Sequence, residues 1–340
     1  MWVLKDPHIF ALLYIIDKGS AFCYTDGMKG GGEMFAFSDT NKRYHTLDYE
    51  MKKTFGEKVF KVPLDGGFTC PNIDGRGAFG GCTYCSGRGS GDFAPSSLLP
   101  IDEQYEVSRQ GYLLKKPTAK FIPYFQAHTN TYAPLERLKA LFEPALLLPD
   151  AVGLAIATRA DCLTDEVVDY LRDLNERTFL TVELGLQTVH DKTAEHINRG
   201  HDYEAFLRGY EKLAGLRRVV HLMDYLPIET HDMMLESAKE VSRLSPFGVK
   251  LHLLYIMEGT QMANEYRSGG VYVPTREEYV NTVVDQLEVL SPEIVVARLT
   301  GDAPRESLIA PLWSRDKRSV LNEIDKELLR RNSFQGIYAK

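Results

Sequence analysis

The sequence predicts an α/β fold, namely a partial (βα)6 barrel followed by a small α/β extension. Two observations support this class. The length of 340 residues suits one large unit with a smaller appendage, since a domain takes roughly 150 residues. From residue 58 onward, short β-rich runs alternate with amphipathic helical segments. This alternation is the pattern of repeated βα units around a parallel sheet.

Seven β-rich runs are the predicted strands, six in the barrel and one in the extension. They span residues 58–63, 119–126, 152–157, 180–186, 219–226 and 249–254, with 294–298 as the seventh. Thr164 and Asp202 stand where helix N-caps are expected, ahead of apolar residues at helical spacing. Thr275 and Glu278 have the spacing of a capping box, and a closing helix is predicted over 319–331.

The chain divides into three predicted segments. They are an extension at 1–33, the barrel at 34–255 with a glycine-rich loop at 66–93, and the C-terminal extension at 256–340, packed on the barrel. The codons implied by residues 29–34 resemble a ribosome-binding site ahead of a start at Met34, so 1–33 is predicted to be non-native or disordered. The alternative is a flexible glycine linker.

The apolar run at 9–16 is the one stretch that suggests a targeting signal or membrane segment. It is far shorter than the roughly 18 residues that a spanning helix needs. It also lacks the basic region and the cleavage site of a signal peptide. We therefore expect neither secretion nor a membrane partner.

Composition is that of an ordinary globular protein. Hydrophobic residues make up 44% and charged residues 26%, which excludes wholesale disorder, collagen and membrane bundles. Five cysteines, an odd number in a long chain, argue against a disulfide framework and for a reduced, cytoplasmic location. The net charge of -7 gives no general attraction for phosphate, so a nucleic-acid partner would need a local basic patch.

Three cysteines cluster in the glycine-rich loop after the first predicted strand. Cys70, Cys82 and Cys85 have the spacing C-x11-C-x2-C. Loops that follow the strands of a parallel barrel gather at one face, where functional sites form. Thiolates suit zinc or iron-sulfur clusters, and glycine lets the backbone wrap closely around such a group. A structural zinc site needs four ligands, and the loop offers no fourth, although Cys162 could approach in space. Iron-sulfur, zinc and unliganded thiols all stay open on spacing alone.

Two motifs connect the chain to a known family. "CTYC" at 82–85 and "VELGLQTVHDKTAEHINRGH" at 182–201 occur in the expected order. With these motifs the sequence resembles the radical S-adenosylmethionine (SAM) enzymes, in particular the Elp3-like bacterial group, from Met34 to the C-terminus. The resemblance implies the TIM-like partial barrel of that superfamily. Two departures stand out: a G-G-E type motif is absent, and "MDYLPIE" replaces a G-L-P-G-E turn, with Tyr225 and Ile228 at the glycine positions. Tyr225 is expected to narrow the adenine or substrate space.

The resemblance also implies the chemistry. Cys70, Cys82 and Cys85 would bind three irons of a 4Fe-4S cluster, and SAM would chelate the fourth. Reductive cleavage would then yield a 5'-deoxyadenosyl radical, with electrons from an external donor of flavodoxin or ferredoxin type. Modification of a tRNA wobble uridine is the leading substrate hypothesis. The alternatives are a radical SAM reaction on a small molecule and a zinc-stabilised binding module without catalysis.

Ten residues near the strand ends are the implied SAM contacts. Tyr84 would border the adenine, and Arg199 would pair with the methionine carboxylate. The full set is Tyr84, Gln126, Thr129, Asn130, Thr158, Arg159, Asp161, Glu183, Gln187 and Arg199. Taken singly, each has an ordinary interpretation as a solvated rim residue or a salt-bridge partner. Histidines at the same ends (His128, His201, His221 and His252) are interpreted as core residues.

Overall fold

The computed structural model describes residue 35, residues 37–89 and residues 91–340. The predicted extension at 1–33 and the predicted start at Met34 lie outside the described residues. Within the described part of the chain, no helix combines the length and the hydrophobicity needed to cross a bilayer.

A seven-stranded sheet forms the centre of the fold, and all its neighbouring strands are parallel. Its order is β1-β2-β3-β4-β5-β6-β8. The strands are β1 (Val59–Leu64), β2 (Lys120–Phe125), β3 (Gly153–Thr158), β4 (Phe179–Gln187), β5 (Arg217–Asp224), β6 (Gly248–Leu253) and β8 (Val295–Arg298). Each predicted strand is present to within about two residues at each end, so the α/β partial-barrel class is confirmed.

The seventh strand corrects one expectation. We assigned residues 294–298 to the extension, yet β8 pairs in parallel with β6, with Gly248 opposite Val295. The parallel sheet therefore has seven strands where six were expected. A short antiparallel ribbon of β7 (Ile256–Met257) and β9 (Leu308–Ala310), which the sequence did not predict, joins the loops beyond β6 and β8. The division of the chain at residue 256 stays a prediction.

Ten helices accompany the described strands. They are α1 (Leu47–Phe55), α2 (Ile101–Leu113), α3 (Leu135–Ala145), α4 (Asp165–Arg177), α5 (Asp191–His196), α6 (Tyr203–Lys212), α7 (His231–Leu244), α8 (Gln261–Arg267), α9 (Arg276–Val289) and α10 (Lys317–Arg330). The predicted caps are confirmed: Thr164 begins α4, Asp202 begins α6, and Thr275 with Glu278 forms the capping box of α9. Such caps satisfy backbone N–H groups that a helix start leaves unpaired.

Two features show how the sheet is covered and how it curls. Leu171 and Leu174 of α4 are fully buried in the main core, which several helices share with the sheet. On the barrel interior, Glu183 of β4 contacts both Lys61 of β1 and Lys250 of β6. Strands β1 and β6 are separated by four others, so only a curled sheet lets their side chains meet at one carboxylate. The curl creates an interior with polar side chains.

Candidate functional site

A cavity of about 190 Å³ lies at the C-terminal ends of the strands and continues into the barrel interior. Eleven of the thirteen predicted site residues line it, and Asn130 and Asp161 do not. The eleven are Cys70, Cys82, Tyr84, Cys85, Gln126, Thr129, Thr158, Arg159, Glu183, Gln187 and Arg199. The fold therefore brings together, at the predicted strand ends, residues that are up to 129 positions apart in the sequence.

The loop that carries the three thiols is tied to the chain after β4. The Cys85 N–H donates to the Cys82 carbonyl at 3.0 Å, which closes the C-x2-C turn. The Thr83 N–H donates to the Ile197 carbonyl at 3.0 Å. These bonds hold Cys82, Tyr84 and Cys85 against the segment after β4, at one wall of the cavity.

The thiols differ in acidity. A hydrogen bond with Cys85, the charge of Arg159 and a hydrogen bond from Asn72 together lower the pKa of Cys82 to about 7, against the effect of burial. The hydrogen bond with Cys82 raises the pKa of Cys85 well above its ordinary value, and burial adds to this. One sulfur of the set is thus already disposed to be a thiolate, the form in which cysteine binds metals.

The three thiols are a donor set suited to an iron-sulfur cluster. Cys70, Cys82 and Cys85 line one cavity. Cysteine thiolates are the ligands that hold such clusters in proteins. Cys162 does not line that cavity, and burial raises the pKa of its thiol.

Asn72 is a residue of the site that sequence reasoning missed. It is fully buried, and its Nδ2 donates to the carbonyls of Asn198 at 2.7 Å and Arg199 at 2.8 Å. The same nitrogen lies 3.4 Å from Cys82 Sγ. A Cβ at Gly200 would lie 2.3 Å from Asn72 Oδ1, so glycine permits this approach. The signal in the sequence was the position of Asn72, two residues after Cys70. A buried loop needs side-chain amides there to form hydrogen bonds with its backbone.

Arg159 and Asp161 act as a pair at the end of β3. The guanidinium donates twice to the carboxylate, at 2.9 and 2.7 Å. Its Nη1 also donates to the Arg199 carbonyl at 2.7 Å and lies 3.9 Å from Cys70 Sγ. Burial would raise the pKa of Asp161, but its bonds with Arg159 outweigh burial and lower it. Asp161 therefore orients Arg159 against the thiol loop and does not line the cavity itself.

Arg199 is buried, and most of its donors are already used. Its Nη1 donates to the carbonyls of Leu186 and Thr188, the latter at 2.7 Å, and its Nε donates to that of His201 at 3.0 Å. Its Nη2 makes no hydrogen bond within the described structure and lies 3.7 Å from an Asp191 carboxylate oxygen. Burial lowers the pKa of this guanidinium. Nη2 is thus the one guanidinium nitrogen of Arg199 without a hydrogen bond in the described structure. The expected pairing with the methionine carboxylate stays a prediction.

The residues after β2 and β3 mostly hold those strand ends together. Asn130 Nδ2 donates to the carbonyls of Phe125 and Ala157, at 3.1 and 2.8 Å. The hydroxyls of Thr131 and Thr158 lie 2.6 Å apart. Asn130 is therefore a structural link behind the wall. Gln126 and Thr129 remain on the wall of the cavity, as does Gln187, whose φ of 61° lies in the left-handed region.

Glu183 is the centre of a buried polar network, which the sequence did not predict. Tyr124 donates to its Oε2 at 2.6 Å and His221 lies at 2.9 Å, while Lys61 and Lys250 form ion pairs with it. Burial would raise the pKa of Glu183, but Lys250, Lys61 and His221 hold it well below its usual range. Its expected role as an acceptor for the cofactor ribose or amino group stays a prediction.

The turn after β5 corrects the expectation for Tyr225. Its hydroxyl lies 2.9 Å from the Thr282 hydroxyl of α9, and its ring packs near Tyr272 and Tyr279. The side chain therefore points away from the cavity and does not narrow it. Tyr225 and Ile228 have φ values of 63° and 64°, a region that favours glycine. This conformation fits the glycines that the resemblance implies at both positions.

Asp224, next to this turn, gives a testable pH dependence. Burial raises its pKa to about 7, and its Oδ2 and the Oε1 of Gln286 both lack a hydrogen-bond donor within the described structure. The folded state therefore keeps a proton that the unfolded state releases from about pH 4 upward, so stability falls as pH rises to 7. Asp224→Asn supplies a donor without the charge. It is expected to stabilise the chain by about 3 kcal/mol at pH 8 and hardly at all near pH 4.

Urea unfolding at both pH values measures the Asp224 effect. Asp169→Asn on α4 is the control, since that carboxylate is 74% exposed and, among the described residues, pairs with Arg172 alone. This control should change stability by less than about 1 kcal/mol at either pH. An equal effect of Asp224→Asn at pH 4 and pH 8 would contradict the assignment.

Comparisons with known proteins agree with this geometry. Residues 72–241 match the family model of the radical SAM superfamily, and residues 246–330 match that of the radical SAM C-terminal domain. YtqA of Bacillus subtilis is 51% identical over 304 residues, which are 89% of this chain and 94% of YtqA. A tRNA uridine(34) acetyltransferase of Methanocaldococcus jannaschii is 27% identical over 179 residues, 51% of this chain and 32% of that protein.

Among solved structures, the archaeal Elp3 of Methanocaldococcus infernus superposes with a TM-score of 0.61 at 18% identity. The superposition covers 82% of this chain and 64% of that structure. At this level of identity the likeness demonstrates a shared fold.

Proposed function

Because the chain belongs to the radical SAM superfamily, with Elp3-like relatives, we propose that it cleaves SAM reductively and uses the resulting radical to modify a tRNA wobble uridine. It is an enzyme whose cofactors are a 4Fe-4S cluster and SAM. The observation that supports the proposed cleavage is the convergence of three thiols and eight predicted SAM contacts on one cavity.

The residues present fit these cofactors. Cys70, Cys82 and Cys85 would hold the cluster, which supplies the electron that breaks a carbon–sulfur bond of SAM. Arg159, fixed by Asp161, places a positive charge 3.9 Å from Cys70 Sγ, where it offsets thiolate charge. The unengaged Nη2 of Arg199 offers one charge-assisted donor to the SAM carboxylate. Tyr84, between two of the thiols, would border the adenine.

The tRNA substrate is supported by the relatives alone. The matched acetyltransferase acts on tRNA uridine 34 by its name, and the alignment covers half of this chain. The C-terminal helix α10 gives little further support, because three cations at its two ends are already paired. Lys317 pairs with Asp302, Arg330 with Glu327, and Arg331 with Asp285. This pairing favours a small-molecule substrate as the second candidate.

The test is anaerobic reconstitution with iron and sulfide, followed by a 5'-deoxyadenosine assay with dithionite as reductant. We expect 5'-deoxyadenosine to form, and bulk tRNA from a strain lacking this protein to accelerate its release. The Cys70→Ala variant is the control for non-enzymatic breakdown. Absence of 5'-deoxyadenosine at full iron content would refute the cleavage. The tRNA assignment would be refuted if tRNA did not change the rate of 5'-deoxyadenosine release and the wobble nucleosides of that strain were unaltered. The small-molecule candidate would then remain.

A further inference from the structure

The barrel interior contains more positive than negative charge. Three basic side chains, Lys61, Lys250 and Arg298, surround one carboxylate, Glu183, in or beside the cavity. His221 and His252 complete the interior, with ring centroids 5.5 Å apart. No role in holding the cluster or SAM has been given to Lys250, His252 or Arg298. Their arrangement therefore needs a separate explanation.

Glu183 cannot neutralise Arg298. The carboxylate already accepts from four side chains, and a carboxylate offers about four acceptor positions. Arg298 makes no hydrogen bond or ion pair with any other side chain that the structure describes, although it is half-buried and lines the cavity. The Nε2 of His252 is also buried without a partner in the described chain. Two nitrogen groups thus border the cavity with their hydrogen-bonding capacity unused.

These groups lie together on neighbouring strands. Lys250 and Arg298 are opposite each other in the pairing of β6 with β8, and His252 is two residues further along β6. All three line the same cavity as the thiols. Burial, and then repulsion from Arg298, holds the pKa of His252 well below its ordinary value. Burial lowers the pKa of Lys250 to about 7, and the charges of Lys61 and Arg298 act in the same direction.

A half-buried cation that lines a cavity without a counter-ion is a favourable place for an anionic ligand to bind. We propose that Arg298, His252 and Lys250 form a binding subsite for an oxyanion of the substrate, a carboxylate or a phosphate. The planar fork of Arg298 matches either group with two parallel donors. This inference deepens the proposed function, since it rests on that function for the statement that the ligand is the substrate. The binding itself is independent of SAM cleavage.

The experiment measures anion binding to the anaerobically reconstituted full chain by scanning calorimetry. Sodium acetate and sodium phosphate are titrated separately against sodium chloride at constant ionic strength and pH. We expect a saturable rise in Tm with one of the two oxyanions and none with chloride. The stronger response identifies the group, acetate for a carboxylate substrate and phosphate for a phosphorylated one.

Three variants define the site. Arg298→Gln should weaken the oxyanion response at least about tenfold, because the charged fork is lost. Arg298→Lys keeps the charge without the fork and should give an intermediate affinity. Arg208→Gln, on the outer helix α6 where Arg208 is 62% exposed, should respond as the wild type does. In chloride alone, Arg298→Gln should melt no lower than the wild type, since it removes an uncompensated charge; a lower Tm would indicate a structural cation and overturn the proposal.

Two further results would overturn the subsite. One is an oxyanion response no greater than that of chloride, or equal in Arg298→Gln and wild type. The other is loss of the response when SAM is present at saturation, because SAM's own carboxylate would then fill the subsite. A preserved response with SAM bound supports a substrate group. If the anion binds but no 5'-deoxyadenosine forms in the cleavage assay, the proposed function fails and the subsite stands.

Discussion

Replacing Cys70, Cys82 or Cys85 with alanine is expected to reduce the iron content from about four atoms per chain to below about one. Each thiolate binds one iron, and a cluster held by two cysteines has too few protein ligands to survive desalting. SAM cleavage should fall to background in all three variants. Iron content, the broad absorption near 400 nm (about the range of thiolate-to-iron charge transfer) and 5'-deoxyadenosine yield are the three measurements.

Cys162→Ala is the matched control for these variants. Cys162 lies in the short turn after β3, beside Asp161, but does not line the cavity. Its replacement should leave iron content, absorption and cleavage within about twofold of the wild type. The assignment of three ligands would be wrong if Cys162→Ala lost iron as the other variants do. It would also be wrong if the wild type, purified without oxygen, carried stoichiometric zinc and no cluster absorption.

The strands were predictable because their signal is local. Each βα repeat carries its own apolar run, and several carry a helix cap, such as Thr164 ahead of α4, so no distant contact is needed to recognise them. The strand that was misassigned, β8, is only four residues long, and its place beside β6 is a non-local pairing. The sequence indicates that such a strand exists, but it does not indicate which edge of the sheet the strand joins.

The thiol loop and part of the cavity wall were predictable for a similar reason. In a parallel barrel, the end of each strand is a known place in space once the strands are known. What a side chain does there depends on partners from other strands. Arg199 shows this, since three backbone carbonyls occupy its donors. Nothing in the order of residues indicates that those carbonyls would face it.

The barrel interior was the least predictable part of the site. Tyr124 and Lys250 lie inside strands whose other residues are largely buried, and Lys61 lies on the more exposed β1. Each is an ordinary residue when considered alone. Their meaning arises only where the curled sheet brings them to Glu183. A lysine at an inward position of an apolar strand was the available signal, because a charge is not buried there without a partner.

That partnership predicts the largest stability effect in the chain. Glu183→Gln is expected to destabilise the fold by about 3 to 5 kcal/mol at pH 7, because it leaves two buried ammonium groups without their counter-ion. Glu143→Gln is the control, since Glu143 and its partner Arg177 are each 41% exposed. That substitution should cost less than about 1 kcal/mol. Urea unfolding of both variants and the wild type measures the difference.

The pH dependence distinguishes lost charge from lost packing. The folded-state pKa of Glu183 is depressed, so its contribution is fully present above the unfolded pKa of about 4.3 and is lost as pH falls further. The gap between the wild type and Glu183→Gln should therefore shrink as the pH falls below about 4. Lys250→Met in the Glu183→Gln background should recover part of the loss, since it removes one of the unpaired cations. The contrary result is a stability difference between the wild type and Glu183→Gln that is undiminished at pH 3, with no recovery in the double variant. It would show that Glu183 acts through its shape, and the charge assignment of the barrel interior would then be wrong.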